Sequence, residues 1–191
     1  ATKLASDKIF VAGNNLSGKS LTRFSVVRYG NVLGSRGSVI PFFNKLIAEN
    51  ATALPITDLR MTRFWITLQQ GVDFVLSSLE MMQGGEIYVP KIASMRITDL
   101  AQCMAPDLPM EEVGIRPGEK LHEVMITEDD SRTTFELPDR YVIEPPFNWW
   151  STTREPIADS APVEDGYRYA SDTNPLWITS DEMRTLLDAE A

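Results

Sequence analysis

Residues 28–38, Arg28-Tyr29-Gly30-Asn31-Val32-Leu33-Gly34-Ser35-Arg36-Gly37-Ser38, decide the fold when read with the run that leads into them. Thr22 to Tyr29 (TRFSVVRY) is rich in β-branched and aromatic residues and is closed by Gly30, which predicts a buried strand. Gly30, Gly34 and Gly37 then allow tight backbone turns. Ser38 is positioned to cap a helix through VIPFFNKLIAEN, with Pro41 tolerated in its first turn.

Upstream, Ala1 to Asn15 spaces Leu4, Ile9, Phe10 and Val11 among good helix formers, and the polar stretch Asn14 to Ser20 reads as a loop. Downstream, Arg63 to Thr67 (RFWIT) is a short extended segment. Thr67 caps a helix to about Met82 that carries Val72, Val75, Leu76 and Leu79 on one face. Gly84-Gly85 ends that helix, and EIYVP follows as another buried strand. Thr98 begins a short helix, EEVGIR and RYVIE are strands, and a terminal helix is capped near Thr179. Helix, strand, helix, strand, helix through the first half predicts an α/β fold around a parallel sheet.

Composition narrows the function classes. The 191 residues are 43% hydrophobic and 24% charged, with a net charge of −9. Such an acidic surface repels phosphate backbones, so nucleic acid is not an expected partner. No apolar run approaches the roughly 18–20 residues of a membrane span, so no membrane partner is expected either. The single cysteine, Cys103, sits in an apolar run and reads as a buried structural thiol. The single histidine, His122, argues against a multi-histidine metal site. Together they suggest a reducing, cytoplasmic setting.

Gly13 to Ser20 (GNNLSGKS) matches the phosphate-loop pattern G-x-x-x-x-G-K-[ST]. A phosphate loop works because a strand feeds it and a helix leaves it, aiming helix-start N–H groups at the anion. Here a helix enters and a strand leaves, so the match reads as a polar connection.

Better candidates lie elsewhere. Asn31 sits where a strand meets a glycine loop, the end at which open α/β sheets bind ligands. Gly37 to Phe43 combines a helix start with apolar and aromatic side chains that could seat a nucleobase or could equally be ordinary core. Arg60, Arg63 and Arg116 are loop-side arginines in an acidic protein, and forked permanent cations suit a diphosphate. In Arg116-Pro117-Gly118-Glu119-Lys120, proline and glycine fix a turn that presents arginine and carboxylate together. Glu119 could then accept hydrogen bonds from ribose hydroxyls.

These pieces, in this order, resemble the inverting UDP-N-acetylglucosamine 4,6-dehydratases, extended short-chain dehydrogenases. Lys3, in ATKLASDK, resembles the end of their Y-G-A-T-K motif. RYGNVLGSRGSVIPFF, RMTRFWIT, GGEIYVPK and GIRPGEKLHEVMITEDD resemble further family segments, and YASDTN (Tyr169 to Asn174) extends the likeness near the C terminus. The resemblance implies the C-terminal part of a Rossmann-like parallel sheet plus a smaller α/β substrate-binding region. Residues 1–95 would belong to the NADP-binding domain with substrate-loop insertions, and 96–191 to the substrate-binding region and tail. Lys3 would be catalytic and hold the nicotinamide ribose of NADP, and Tyr29 would lie near the nicotinamide. Asn31, Arg63 and Arg116 would grip the diphosphate of a UDP-sugar, Val39, Ile40, Pro41, Phe42 and Phe43 would line the uracil pocket, and Glu119 would meet the ribose. Family members assemble into homo-oligomers.

The departures from the pattern are informative. No G-x-G-x-x-G occurs in the sequence. The family's Thr-Asp-Lys triplet is absent, as is the tyrosine expected two residues before Ala1. The expectation is therefore a fragment that is inactive alone, and dehydration of UDP-N-acetylglucosamine by this chain would refute it. A related epimerase and a non-catalytic UDP-sugar-binding module are the alternatives.

Overall fold

The computed structural model describes residues 2–17, 21–147 and 155–189. In chain order the main elements are α1 (Thr2–Leu16), β1 (Val26–Val27), β2 (Asn31–Val32), α2 (Val39–Ala48), β3 (Leu54–Ile56), β4 (Thr62–Ile66) and α3 (Leu68–Met81). There follow β5 (Ile87–Pro90), β6 (Ser94–Arg96), α4 (Ile97–Met104), β7 (Met110–Glu112) and β8 (Val124–Ile126). The last are β9 (Thr134–Glu136), β10 (Arg140–Ile143), β11 (Ala161–Pro162), β12 (Tyr169–Ala170) and α5 (Ser180–Ala189). The fold is α/β. It divides into two compact units, one from Ala1–Tyr29, Val72–Lys91 and Met125–Arg168, the other from Gly30–Gly71, Ile92–Val124 and Tyr169–Ala191. The first 95 residues thus contribute to both units.

In the first unit β1 runs parallel to β5, and the sheet continues antiparallel through β10, β9 and β11. The strand expected over Thr22 to Tyr29 shrinks to Val26–Val27. Asn14, fully buried in the last turn of α1, donates from Nδ2 to the Phe24 carbonyl (2.8 Å) and accepts the Phe24 N–H on Oδ1 (2.9 Å). The Asn14 side chain thus takes the Phe24 N–H, while the Phe24 carbonyl also accepts the Gly85 N–H at 2.7 Å. This also disposes of the phosphate-loop match among the described residues. Gly13 to Leu16 are helical and lead toward a strand, while Gly18, Lys19 and Ser20 lie outside the described residues.

Helix α3 meets its unit through Phe74 and Ser78, both buried beside Tyr88, Leu137 and Val142. Arg140, only 5% exposed, lays its guanidinium 4.6 Å from the Phe74 ring centroid and donates to the Ser77 and Ser78 hydroxyls. The apolar face formed by Val72, Val75, Leu76 and Leu79 is the exposed one, with Leu79 62% exposed. The amphipathic pattern is real, but in this chain it does not mark the core.

In the second unit β2 pairs parallel with β4 (Asn31↔Trp65, Val32↔Ile66), and β4 pairs antiparallel with β6. A second small sheet joins β3 and β7 in parallel. Ile40 and Phe43 from α2, Leu54 and Ile56 from β3, Leu100 from α4 and Met183 from α5 form the core. Thr179 and Glu182 exchange hydrogen bonds as a capping box that starts α5 where the sequence places it.

YASDTN locks the C-terminal segment into this unit. The Tyr169 hydroxyl accepts the Ile92 N–H and donates to the Ile92 carbonyl, each at 3.0 Å. The Ser171 hydroxyl lies 2.7 Å from that of Thr62 and accepts the Glu123 N–H. Asn174 donates to the Ile92 and Leu176 carbonyls and to the Ser94 hydroxyl. Three polar side chains of one short motif are thereby committed to structure.

Candidate functional site

A cavity of about 620 Å³ opens in the second unit. That size suits a nucleotide-sized ligand. Three elements build its wall. The first turn of α2 supplies Ser38, Val39, Pro41, Phe42 and Phe43. The small sheet supplies Asn31 from β2 with Arg63 and Trp65 from β4. The turn after β7 supplies Arg116 and Glu119. Strand geometry explains the middle group: Arg63 and Trp65 are two residues apart and share a face, and Asn31 lies opposite Trp65 in register.

The Arg116–Glu119 turn has the chemistry its sequence requires. Glu119 N–H donates to the Arg116 carbonyl at 3.0 Å across Pro117-Gly118, and Gly118 holds φ +84°, as the third position of a type II turn demands. The Glu119 carboxylate also accepts the Arg116 N–H at 3.3 Å. The Arg116 side chain itself is exposed and makes no hydrogen bond or ion pair among the described residues. It is therefore available to an anion.

Arg63 stands differently. Its guanidinium donates to the carbonyls of Thr62, Leu121 and Lys120 at 2.7–3.0 Å and lies 3.9 Å from the Glu119 carboxylate. Burial lowers its pKa, against the pull of Glu123 and Glu119, yet a guanidinium stays cationic. Arg63 thus holds residues 120 and 121 in place while presenting positive charge at the cavity wall. Arg60 turns away to grip Asp58 through two hydrogen bonds, and this partner holds the Asp58 carboxyl down at about 2. That pair orders the turn preceding Met61, another wall residue.

His122 is structural here: its Nδ1 lies 2.8 Å from the Thr62 hydroxyl, within the same network as Ser171. Cys103 is buried and free. Among the described residues no group of His, Cys, Asp and Glu is arranged to hold a metal ion, and no helix is long and apolar enough to cross a membrane.

Seven of the residues singled out from the sequence, Asn31, Val39, Pro41, Phe42, Phe43, Arg63 and Arg116, meet at this cavity together with Glu119. Ile40 does not: it is 4% exposed and belongs to the core, because helical geometry turns it away from its neighbours. Lys3 and Tyr29 belong to the other unit, Lys3 exposed on the first turn of α1 and Tyr29 just beyond the carboxyl end of β1. Thr57, Met61 and Trp65 also line the cavity without having been read as site residues. Of these, only Trp65 left a signal, since a strand residue two places from Arg63 must face the same way.

Comparison with known proteins fits this geometry. Residues 1–145 match the family described as polysaccharide biosynthesis protein. The chain is 54% identical, over 98% of its length, to the UDP-N-acetylglucosamine 4,6-dehydratase (inverting) of Campylobacter jejuni, covering 58% of that protein. It is 34% identical, over 74% of its length, to a UDP-glucose 4-epimerase of Rickettsia bellii, covering 42% of it. Among solved structures, Pen from Bacillus thuringiensis matches 99% of the chain with a TM-score of 0.85 and 34% identity, the match covering 57% of Pen. The chain thus spans little more than half the length of this dehydratase and of Pen.

Proposed function

The chain belongs to the polysaccharide biosynthesis protein family, and from that premise we propose that it carries the substrate-gripping part of an NADP-dependent, inverting UDP-N-acetylglucosamine 4,6-dehydratase. The observation that carries the reading is convergence. The α2 first turn, Asn31 and the Arg116–Glu119 turn line one nucleotide-sized cavity, in a chain 54% identical to such a dehydratase. The product class is a 4-keto-6-deoxy sugar nucleotide used for surface glycans.

In this reading the apolar wall of Val39, Pro41, Phe42 and Phe43 takes the uracil and excludes water from it. Arg116 pairs with the diphosphate, Asn31 offers both a donor and an acceptor to its edge, and Glu119 accepts from a ribose hydroxyl. Arg63 keeps the 116–121 segment in place and adds positive potential.

Residues for the dinucleotide would come from the first unit. Tyr29 is exposed beyond the carboxyl end of a parallel strand, where α/β sheets bind ligands. Lys3 would hold the nicotinamide ribose and, as a cation beside a phenol, lower the pKa of the base that takes the C4 hydroxyl proton. When bound, the nicotinamide supplies a hydride acceptor that is regenerated within each turnover. Functionally, the first unit then belongs to the cofactor side and the second to the substrate side, in place of a simple division at residue 95. The parent enzyme is proposed to be a cytoplasmic homo-oligomer.

Isothermal titration calorimetry of the chain with UDP tests the grip. Arg116→Ala is expected to weaken binding about 10- to 100-fold, the loss of a charge-assisted hydrogen-bonded contact. Equal affinity in the variant would contradict it.

A further inference from the structure

Two buried side-chain polar atoms of the cavity-lining residues have no hydrogen-bond partner among the described residues: Trp65 Nε1 and Ser38 Oγ. Trp65 is only 3% exposed, and its indole N–H is a donor with no other way to be satisfied. Ser38 is the N-cap of α2, a position at which serine ordinarily turns its hydroxyl onto the helix's own N–H groups, yet here it makes no such bond. A buried donor without an acceptor costs on the order of 1–3 kcal/mol, so each such atom calls for an explanation. These two atoms belong to residues on different elements that both line the same cavity.

Their surroundings say what acceptor would suit them. Trp65 lies on the sheet face that also carries Asn31 and Arg63. Ser38 stands at a helix N-terminus, where partial positive charge and backbone N–H groups favour anionic oxygen. Arg116 brings an uncommitted cation to the same space. Each of these features attracts an oxygen carrying negative charge.

Resting on the UDP-sugar reading of this cavity, we propose that Trp65 and Ser38 are additional binding residues, the indole N–H and the hydroxyl donating to oxygens of the ligand's diphosphate. Both atoms are buried, so contact with a ligand requires the side chains around them to shift. The helix cap that Ser38 withholds from α2 is then reserved for the ligand, and Trp65 adds a neutral donor that is satisfied only in the bound state. Neutral donors at this point would fix the diphosphate's position, while Arg116 supplies most of the charge attraction.

The test follows the Trp65 indole ¹H–¹⁵N resonance of the whole chain, assigned by its loss in Trp65→Phe, through titrations with UDP and with uridine. Calorimetry of Ser38→Ala and Trp65→Phe runs beside it. UDP is expected to move the indole proton downfield and uridine to leave it in place, and each substitution is expected to weaken UDP binding about tenfold, one hydrogen bond's worth. Should Trp65→Phe fold poorly, the wild-type resonance, assigned through its through-space contacts, and Ser38→Ala still decide the matter. An unmoved indole and wild-type affinity in Ser38→Ala, with UDP bound in an Arg116-dependent way, would overturn this inference and leave the cavity reading intact. A shift with uridine alone would overturn the diphosphate assignment. No UDP binding at all would overturn both.

Discussion

Gly30→Ala is expected to collapse the second unit. A Cβ on Gly30 would sit 2.5 Å from Phe64 Cβ, 2.6 Å from the Phe64 carbonyl oxygen and 2.8 Å from its carbonyl carbon. Two of those atoms are backbone in the middle of β4, so no rotamer change relieves the clash. The chain would have to push β2 from β4, breaking the Asn31↔Trp65 and Val32↔Ile66 pairing that sets one wall of the cavity. Overpacking a tight core by a methyl costs about 1–3 kcal/mol when side chains can yield, and more when the obstacle is main chain. We expect a loss of at least about 3 kcal/mol in urea-induced unfolding, accompanied by loss of UDP binding. A variant that unfolds at the wild-type urea midpoint would show that β2 and β4 are not packed this closely.

The second large effect is expected from Asn174→Ala. Asn174 is 4% exposed and makes three donor contacts, at 2.8 Å to Ile92 O, 3.0 Å to Ser94 Oγ and 2.8 Å to Leu176 O, and it accepts the Leu176 N–H. Its removal takes four hydrogen bonds from one buried side chain; the Ile92 carbonyl keeps the Tyr169 hydroxyl and the Leu176 carbonyl keeps the Ser94 N–H, so the expected cost is about 1–3 kcal/mol. The strain falls on the connection that brings α5 against α4, where Met183 is fully buried. Cys103 reports on that contact: it lies in α4, is 9% exposed, and its sulfur approaches the Ser180 carbonyl at 3.6 Å. As the only cysteine, it makes the readout unambiguous. The thiol is expected to react with a disulfide reagent at least tenfold faster in Asn174→Ala, reflecting a larger open population of α5. An unchanged rate, with unchanged stability, would mean that the motif does not hold the C-terminal segment.

These two residues also indicate how far the sequence could be read. Gly30 was legible as a special position but for the wrong reason. Turn freedom is what Gly34 and Gly37 provide, with φ of +67° and +74°, whereas Gly30 is required by the closeness of β4. That closeness is a long-range fact that no local pattern carries. Asn174 belonged to a recognisable motif whose meaning, a lock on Ile92 and Ser94, needed contacts about eighty residues away.

Local chemistry was the most readable. The Arg116–Glu119 turn, the Thr179 capping box and the strand Ile87–Pro90 follow from residues a few places apart. Pairing and burial were less so. Thr22 to Tyr29 has strand composition, yet only Val26–Val27 form the strand, and the Phe24 N–H goes to the Asn14 side chain, a contact ten residues away. The apolar stripe of α3 has core periodicity, yet Phe74 on another face does the packing. At the cavity, Ile40 was included with its neighbours because composition does not distinguish faces within one helical turn. Trp65 was missed because its role depends on lying beside Asn31 in the sheet.

The central claim is that the cavity of the second unit holds the uridine diphosphate portion of a nucleotide sugar, and a crystal structure of the chain grown with UDP tests it most directly. The uracil is expected against the α2 first turn, in contact with Val39, Pro41 and Phe42, with the diphosphate within hydrogen-bond distance of the Arg116 guanidinium. UDP bound outside this cavity, or a diphosphate that makes no contact with Arg116, would contradict it.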